Sequence, residues 1–364
     1  MPGPIALFLP SLRGGGAERA IVDVARGLAE SGLEVDLVVA HAAGTYVDRV
    51  PAAVRTVDLG KSRLLAALPG LVGYLRRRRP RVLLTAMIHS NLAGLLARRL
   101  SGLPCRVVIS ERVAFAAFDA SAPLKFRLVA RLRKRFYPRA DAIIAVSSGV
   151  ADELVETCGL PRERISVIPN PVVTPELAER ARRQADHPWL EPGSPPLVLA
   201  AGRLKRQKNF VLLIEAFARV RERRRARLLI LGEGPERGVL ESLVERRGLT
   251  GDVQLPGFVE NPYAFMSRAG VFVLSSDWEG LPGVLIEAMA VGCPVVSTDC
   301  PAGPREILDG GRIAPLVAPG DVLALASAIG AILDEPPPVQ ALIERAQDYT
   351  LARVVPRYRE VLGV

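Results

Sequence analysis

The feature that most constrains this chain is a rhythm that runs through it twice. A short apolar run, long enough for one buried strand, is followed by a turn and then by apolar residues at helical spacing. In the first half the strand-like runs are Ile5–Leu9, Val35–Ala40, Arg81–Thr85, Arg106–Ser110 and Ala142–Val146. After the first of them, Ala17–Ser31 places Ile21, Val24, Ala25 and Leu28 on one helical face, and Gly32 closes the segment. A stretch rich in proline and polar residues, Pro169–Pro196, interrupts the pattern, which restarts with strands at Leu197–Ala200, Arg227–Leu231, Val253–Leu255, Val271–Leu274 and Pro294–Ser297. Strands apolar throughout, alternating with helices, are the signature of a parallel sheet covered on both faces. The expected fold class is therefore α/β, with two Rossmann-like, doubly wound domains. The expected boundaries are a first domain at 1–170, a linker at 171–196, a second domain at 197–338, and a C-terminal helix at 339–364 that packs back on the first domain. Open parallel sheets bind ligands at the carboxyl ends of their strands, so a cleft between two facing domains is the expected site.

The length of 364 residues suits two cores rather than one. The longest apolar run, Leu64–Leu75, stops at the four arginines Arg76–Arg79, short of a membrane span. The first residues carry no basic, secretory-type leader, so the expectation is a cytoplasmic protein. Cys105, Cys158, Cys293 and Cys300 form no CxxC pair, and with His41, His89 and His187 as the only histidines no metal site is expected. The net charge of +10 is unevenly placed. Residues 1–190 hold 28 Lys and Arg against 17 Asp and Glu, whereas 191–364 hold 20 against 21. An anionic partner for the first half and an arginine-rich composition with solvated helix faces both account for this.

Three loops at carboxyl ends of second-half strands carry chemistry. In Ser275–Ala290, Glu279-Gly280-Leu281 forms a loop and Pro282 stands where a helix would begin. Free N–H groups at Gly280, Leu281 and Gly283 suit a phosphate or a hydroxyl-rich ligand. Glu279 and Glu287 can each accept from sugar hydroxyls. Arg203 and Lys208, in Gly202–Asn209, can neutralise a diphosphate. Gly232 and Gly234, in Gly232-Glu233-Gly234-Pro235, permit close backbone approach to a flat base or a ribose.

These segments, in this order, resemble retaining glycosyltransferases of family 4, whose GT-B fold sets two Rossmann-like domains face to face. The resemblance covers most of the chain. It runs through Gly14-Gly15-Gly16-Ala17-Glu18-Arg19, Ala140–Ser147, Ile168-Pro169-Asn170-Pro171, Gly202-Arg203 with Lys208-Asn209, Gly232–Pro235 and Gly257-Phe258. It ends with Glu279 and Glu287 at the E-x7-E spacing and Gly303–Leu308. The resemblance implies that Arg203 and Lys208 hold the nucleotide diphosphate, Glu287 the ribose and Glu279 the donor sugar. It further implies that Gly15 and Gly16 close over the phosphates, that Gly232, Gly234, Pro235 and Val259 line the base, and that Gly280 and Leu281 belong to the donor loop. A UDP-sugar is the implied co-substrate, with no permanently bound cofactor and no required metal.

One departure concerns a histidine that many relatives carry beside the donor sugar. The corresponding loop here reads Ser110-Glu111-Arg112-Val113, and His89 lies in a different loop. Glu111-Arg112 resembles a turn in relatives acting on lipid-linked saccharides, where Arg112 either contacts substrate or forms a structural ion pair. Between Ala120 and Ala140 seven cations, Lys125 among them, face no acid, and Leu124, Leu128, Leu132 and Phe136 recur at i+4. This pattern fits a helix on an anionic membrane or one packed on its own sheet. The reading is a retaining transferase moving a hexosyl or N-acetylhexosaminyl unit from a UDP-sugar to a lipid-linked or surface-polysaccharide acceptor, at the inner face of the cytoplasmic membrane and without nucleic acid. The alternatives are a non-catalytic anionic-lipid or nucleic-acid binding protein on the same fold, and a sugar-nucleotide epimerase.

Overall fold

A computed structural model describes residues 3–13, 15–113 and 124–364, with side chains omitted at 124–126. Gly14, the segment 114–123 and the side chains of Leu124, Lys125 and Phe126 therefore lie outside the described residues. The chain forms two compact units, residues 1–171 with 351–364 and residues 172–350.

The first unit is a seven-stranded parallel sheet. Its strands are β1 (Ile5–Ser11), β2 (Val35–His41), β3 (Val54–Asp58), β4 (Val82–Ala86), β5 (Arg106–Glu111), β6 (Ala142–Ala145) and β7 (Ile165–Val167), in the order β3-β2-β1-β4-β5-β6-β7. Ile5 registers with Val35 on one side and Val82 on the other. The helices are α1 (Gly16–Glu30), α2 (Leu64–Arg78), α3 (Ile88–Ser101), α4 (Leu124–Phe136) and α5 (Ser148–Cys158). Residues of the central strands are buried on both faces, as near-continuous apolar strands require. Ser147 starts α5 by accepting from the Val150 N–H.

The second unit holds α6 (Pro175–Arg182), β8 (Leu197–Ala201), α7 (Phe210–Arg223), β9 (Arg227–Leu231), α8 (Arg237–Arg246), β10 (Val253–Gly257) and α9 (Tyr263–Met266). It continues with β11 (Val271–Leu274), α10 (Gly283–Ala290), β12 (Val295–Thr298), α11 (Pro304–Ile307), β13 (Leu316–Val317), α12 (Val322–Asp334) and α13 (Gln340–Ala346). Its six parallel strands run β10-β9-β8-β11-β12-β13. Leu213 and Phe217 of α7 and Leu325 and Ile329 of α12 pack with Val198, Ile230 and Val273 of the sheet. The stretch expected as a linker contains α6, which packs on α9.

The terminal segment, expected as one helix, is two. A break at 347–350 separates α13 from α14 (Leu351–Leu362). The second of these belongs to the first unit, where Val354, Val355, Tyr358 and Leu362 join Ile21, Val24 and Leu28 of α1 in the core. Helix α4 also departs from its pattern. Leu128 is exposed, while Arg133 is completely buried and makes a bidentate pair with Glu153 of α5 at 2.9 and 3.0 Å. The helix faces the unit's interior through an arginine that is satisfied there, not through a clean leucine stripe.

Candidate functional site

In each sheet the strand order reverses once, between β1 and β4 in the first unit and between β8 and β11 in the second. The loops leaving two such strands diverge to opposite faces, which opens a crevice at their carboxyl ends. The expected donor residues lie in the two loops at the reversal of the second unit, and these loops are stitched together. The Asp277 N–H donates to the Gln207 carbonyl (2.9 Å) and Gln207 Nε2 to the Trp278 carbonyl (2.8 Å). Asn209 Nδ2 donates to Asp277 Oδ1 (2.7 Å), and Ser275 Oγ to the Lys208 carbonyl (2.8 Å). Asn209 also starts α7, accepting from the Leu212 N–H.

This lacing brings Lys208 to Glu279. The Lys208 ammonium donates to Glu279 Oε1 at 2.6 Å, and Ser276 Oγ donates to the same oxygen at 2.6 Å. The Lys208 side chain remains 18% exposed against 8% for Glu279, so the cation is held at the surface end of the pair. Arg203, in the same loop, is exposed, and its side chain has no hydrogen bond or ion pair among the described residues. Gly280 and Leu281 are buried beyond Glu279. Helix α10 begins at Gly283 with Pro282 as its cap residue, one position later than expected, and no side chain caps it.

Glu287 lies in the second turn of α10, where Tyr263 Oη donates to it at 3.0 Å. The Arg180 guanidinium sits 5.0 Å from the centre of the Tyr263 ring. Sequence reasoning missed Ser276, Tyr263 and Arg180. The Ser-x-x-Glu spacing of Ser276 and Glu279 was a readable signal; the approach of α6 and α9 to α10 left none.

Gly232 and Gly234 have a different immediate cause from the one expected. A Cβ at Gly232, where φ is +137°, would lie 2.0 Å from the Gly202 carbonyl oxygen, and one at Gly234 would lie 2.3 Å from that of Leu204. Both glycines let the β9 loop press against the β8 loop. Pro235 is exposed, Val259 is half-buried, and the neighbouring Phe258 ring is 71% exposed.

In the first unit, Gly15 caps α1 and Gly16 begins it. A Cβ on Gly15 would sit 2.1 Å from Glu18 Oε2, so the chain's own carboxylate folds over that helix end. His89 is exposed in the first turn of α3, two residues after Met87, whose φ of +73° is rare for a residue with a side chain. Glu111 and Arg112 are buried. Tyr137 Oη donates to Glu111 Oε2 at 2.7 Å, while Arg112 donates to Asn170 Oδ1 and, at 3.0 Å, to Tyr358 Oη. Burial pushes the Glu111 carboxyl above its usual range against the pull of Arg133 and Tyr137. It also lifts the Cys105 thiol to about 11 and those of Cys293 and Cys300 to about 12, which keeps them protonated. Among the described residues no three His, Cys, Asp or Glu side chains stand together as metal ligands would, and no helix is long and apolar enough to cross a membrane.

Comparison with known proteins matches residues 181–349 to the family model of glycosyl transferases group 1 and residues 14–176 to that of glycosyltransferase family 4. The lipopolysaccharide core biosynthesis glycosyltransferase LpsE of Rhizobium meliloti is 30% identical over 345 residues, covering 92% of this chain and 90% of that protein. The N-acetylgalactosamine-N,N'-diacetylbacillosaminyl-diphospho-undecaprenol 4-alpha-N-acetylgalactosaminyltransferase of Campylobacter jejuni is 31% identical over 217 residues, covering 60% of this chain and 57% of that one. The chain spans 44% and 57% of the length of two of its curated relatives, and across such relatives the share runs from 21% to 91%. Among solved structures, Anabaena HepE in complex with UDP matches with a TM-score of 0.77 over 99% of each chain at 19% identity.

Proposed function

Because the chain belongs to the group 1 glycosyltransferases, with a family 4 amino-terminal part and the GT-B fold class, we propose that it moves a hexosyl or N-acetylhexosaminyl unit from a UDP-sugar to a lipid-linked or surface-polysaccharide acceptor, with retention at the anomeric carbon. The observation that carries the reading is the Lys208–Glu279 pair at 2.6 Å, laced across the strand-order reversal with Arg203 unpaired beside it. The names of LpsE and the Campylobacter enzyme support the acceptor class, and the UDP bound to HepE supports the donor.

In this reading Lys208 and Arg203 meet the diphosphate. Leaving-group charge grows as the bond from the anomeric carbon to the phosphate oxygen breaks, and two fixed cations stabilise it more in the transition state than in the ground state. Glu279 orients the donor sugar through its hydroxyls. Ser276 keeps one carboxylate oxygen occupied while Lys208 turns toward phosphate. Glu287, held by Tyr263, accepts from the ribose, and the Gly280-Leu281 turn with the uncapped start of α10 provides N–H donors. The loops of Gly232, Gly234, Pro235 and Val259 border the base, and Gly15 and Gly16 meet the phosphates from the first unit. The acceptor hydroxyl attacks on the face the diphosphate leaves, and its proton passes to a departing phosphate oxygen. No separate general base is then needed: His89, exposed at the start of α3, is assigned to the acceptor side, while Glu111 and Arg112, buried and engaged within the first unit, hold the loop after β5 in place. The basic first half supports a position on the anionic cytoplasmic face of a membrane.

The test is a thermal-shift panel of UDP, GDP, ADP and their common sugars, repeated on Glu287→Ala. UDP-sugars should raise Tm in the wild type and not in the variant. A protein indifferent to every nucleotide would sink the donor assignment.

A further inference from the structure

A concavity of the first unit lies at the amino ends of β5 and β6, at the opposite end of its sheet from Glu111 and Arg112. Strand β5 runs six residues from Arg106 to Glu111, about 20 Å at the usual rise per residue, so this concavity is remote from that unit's strand-order reversal. It has a volume of about 790 Å³, and its lining includes Arg98, Arg99, Arg106, Arg139 and Asp141, with Leu103 and Phe136 as apolar wall. Asp141 is the one acid in the lining, and it is already engaged: it accepts from Arg98 and, at 2.7 Å, from the Val107 N–H. The other arginines touch only neutral groups. Arg139 donates to the Arg135 carbonyl with its guanidinium 5.4 Å from the Phe136 ring centre, and Arg106 donates to the Val361 carbonyl at 3.1 Å. Arg99 is exposed with no partner among the described residues. Carbonyl contacts orient a guanidinium without cancelling its charge, so three positive charges converge on one apolar-walled hollow with no carboxylate to balance them.

We propose that this hollow is a second anion site, separate from the donor loops, that takes a phosphate group: Arg99, Arg106 and Arg139 hold the phosphate oxygens, and Leu103 and Phe136 border an attached apolar portion. Each guanidinium keeps N–H donors that its carbonyl contact does not use, the fork geometry that phosphate oxygens fit. The phosphate can come from a lipid headgroup or from a free phosphate compound. The lipid source rests on the proposed membrane location, whereas the site itself does not.

The experiment compares the wild type with Arg99→Ala/Arg106→Ala and with Arg225→Ala/Arg246→Ala. The second pair removes the same charge from exposed, unpartnered positions of the other unit. One arm measures co-sedimentation with phosphatidylcholine vesicles with and without phosphatidylglycerol. The other measures stabilisation by inorganic pyrophosphate, in an Arg203→Ala/Lys208→Ala background that silences the donor loops. The expected result is binding to phosphatidylglycerol vesicles that weakens about tenfold or more in Arg99→Ala/Arg106→Ala alone, with pyrophosphate stabilisation lost in the same variant. Pyrophosphate stabilisation lost in that variant without vesicle binding by any protein would keep the site and overturn the lipid source. Vesicle and pyrophosphate binding unchanged in that variant would overturn the site and leave the membrane reading standing. Equal losses in the two double variants would reduce the effect to net charge and also overturn the site. Should Arg106→Ala loosen α14, Arg99→Ala alone should give a smaller loss in the same direction.

Discussion

Each unit sets a cation against carboxylates at the carboxyl edge of its parallel sheet, and the two arrangements differ in what they leave open. In the first unit Arg133 and Glu111 have side chains 0% and 1% exposed. Arg133 takes both oxygens of Glu153 and lies 3.9 Å from Glu111, which Tyr137 also holds; Asn91 Nδ2 in turn donates to Tyr137 Oη at 3.2 Å. Burial works against the Arg133 charge, but Glu153 and Glu111 outweigh it and raise its pKa. In the second unit Lys208 keeps part of its side chain in water, and Arg203 has no partner among the described residues. A closed cluster determines which packing is allowed, whereas one with an open cation can exchange a partner for a ligand. The same residue types therefore mean different things at Arg133/Glu111 and at Lys208/Glu279. Exposure at the cation separates the two roles.

The largest test removes the closed cluster's cation. Arg133→Ala strands two buried carboxylates and should cost about 3–5 kcal/mol of stability, read from denaturant midpoints. A cost near zero would mean that water already reaches the cluster, and the contrast between the units would fail. Next comes Lys208→Ala. With the diphosphate charge uncompensated, kcat should fall about 10²–10³-fold, while Tm falls less than for Arg133→Ala because Ser276 and solvent still serve Glu279. Turnover unchanged in that variant would remove Lys208 from the chemistry.

The same contrast separates what was legible in the sequence from what was not. The central strands β1, β2, β4, β8, β9 and β11 were readable because each is buried on both faces and so almost entirely apolar, Asp36 in β2 and Thr85 in β4 being exceptions. The strands missed, β3, β7 and β13, lie at sheet edges. Val54–Asp58 buries only Val54, so it shows no apolar run, and the other two have three and two residues, too short for any period to show. The loops after β8 and β11 stood out because glycines, acids and cations stand there in the order that the family resemblance carries. That Arg133 rather than Leu128 faces inward was not legible, since its partner Glu153 is twenty residues away on another helix. The same holds for Tyr263 beneath Glu287, twenty-four residues distant. Local period reports which face is apolar; it does not report which polar residue will find a buried partner.

Glu287 sharpens the comparison from the open side. It is nearly as buried as Glu279, Tyr263 Oη donates to its Oε1 at 3.0 Å, and the proposed role gives it the ribose hydroxyls. Glu287→Ala should therefore lose about 1.5–3 kcal/mol of UDP affinity, tenfold or more, with kcat at saturating donor changing little. Titration calorimetry with UDP reads this directly. A variant that binds UDP as the wild type does would class Glu287 with the closed cluster.

The smallest expected effect is a pH dependence belonging to the closed cluster alone. Arg133 faces two carboxylates, Glu153 and Glu111, so the buried group carries an excess negative charge that a proton on Glu111 would relieve. Burial raises the Glu111 carboxyl above its ordinary 4.5, against the pull of Arg133 and of the Tyr137 hydroxyl. The folded protein then holds this proton more tightly than the unfolded chain does. Its contribution to stability is fully present below pH 4.5 and is lost as pH rises through the folded-state value. Glu111→Gln keeps an acceptor for Tyr137 but has no proton to lose. Its stability relative to the wild type should increase from pH 4.5 upward and level off once Glu111 is ionised. Denaturation midpoints measured every half unit would show two curves that separate with rising pH. Parallel curves would mean that Arg133 fully compensates both carboxylates, and the closed cluster would then be balanced in charge.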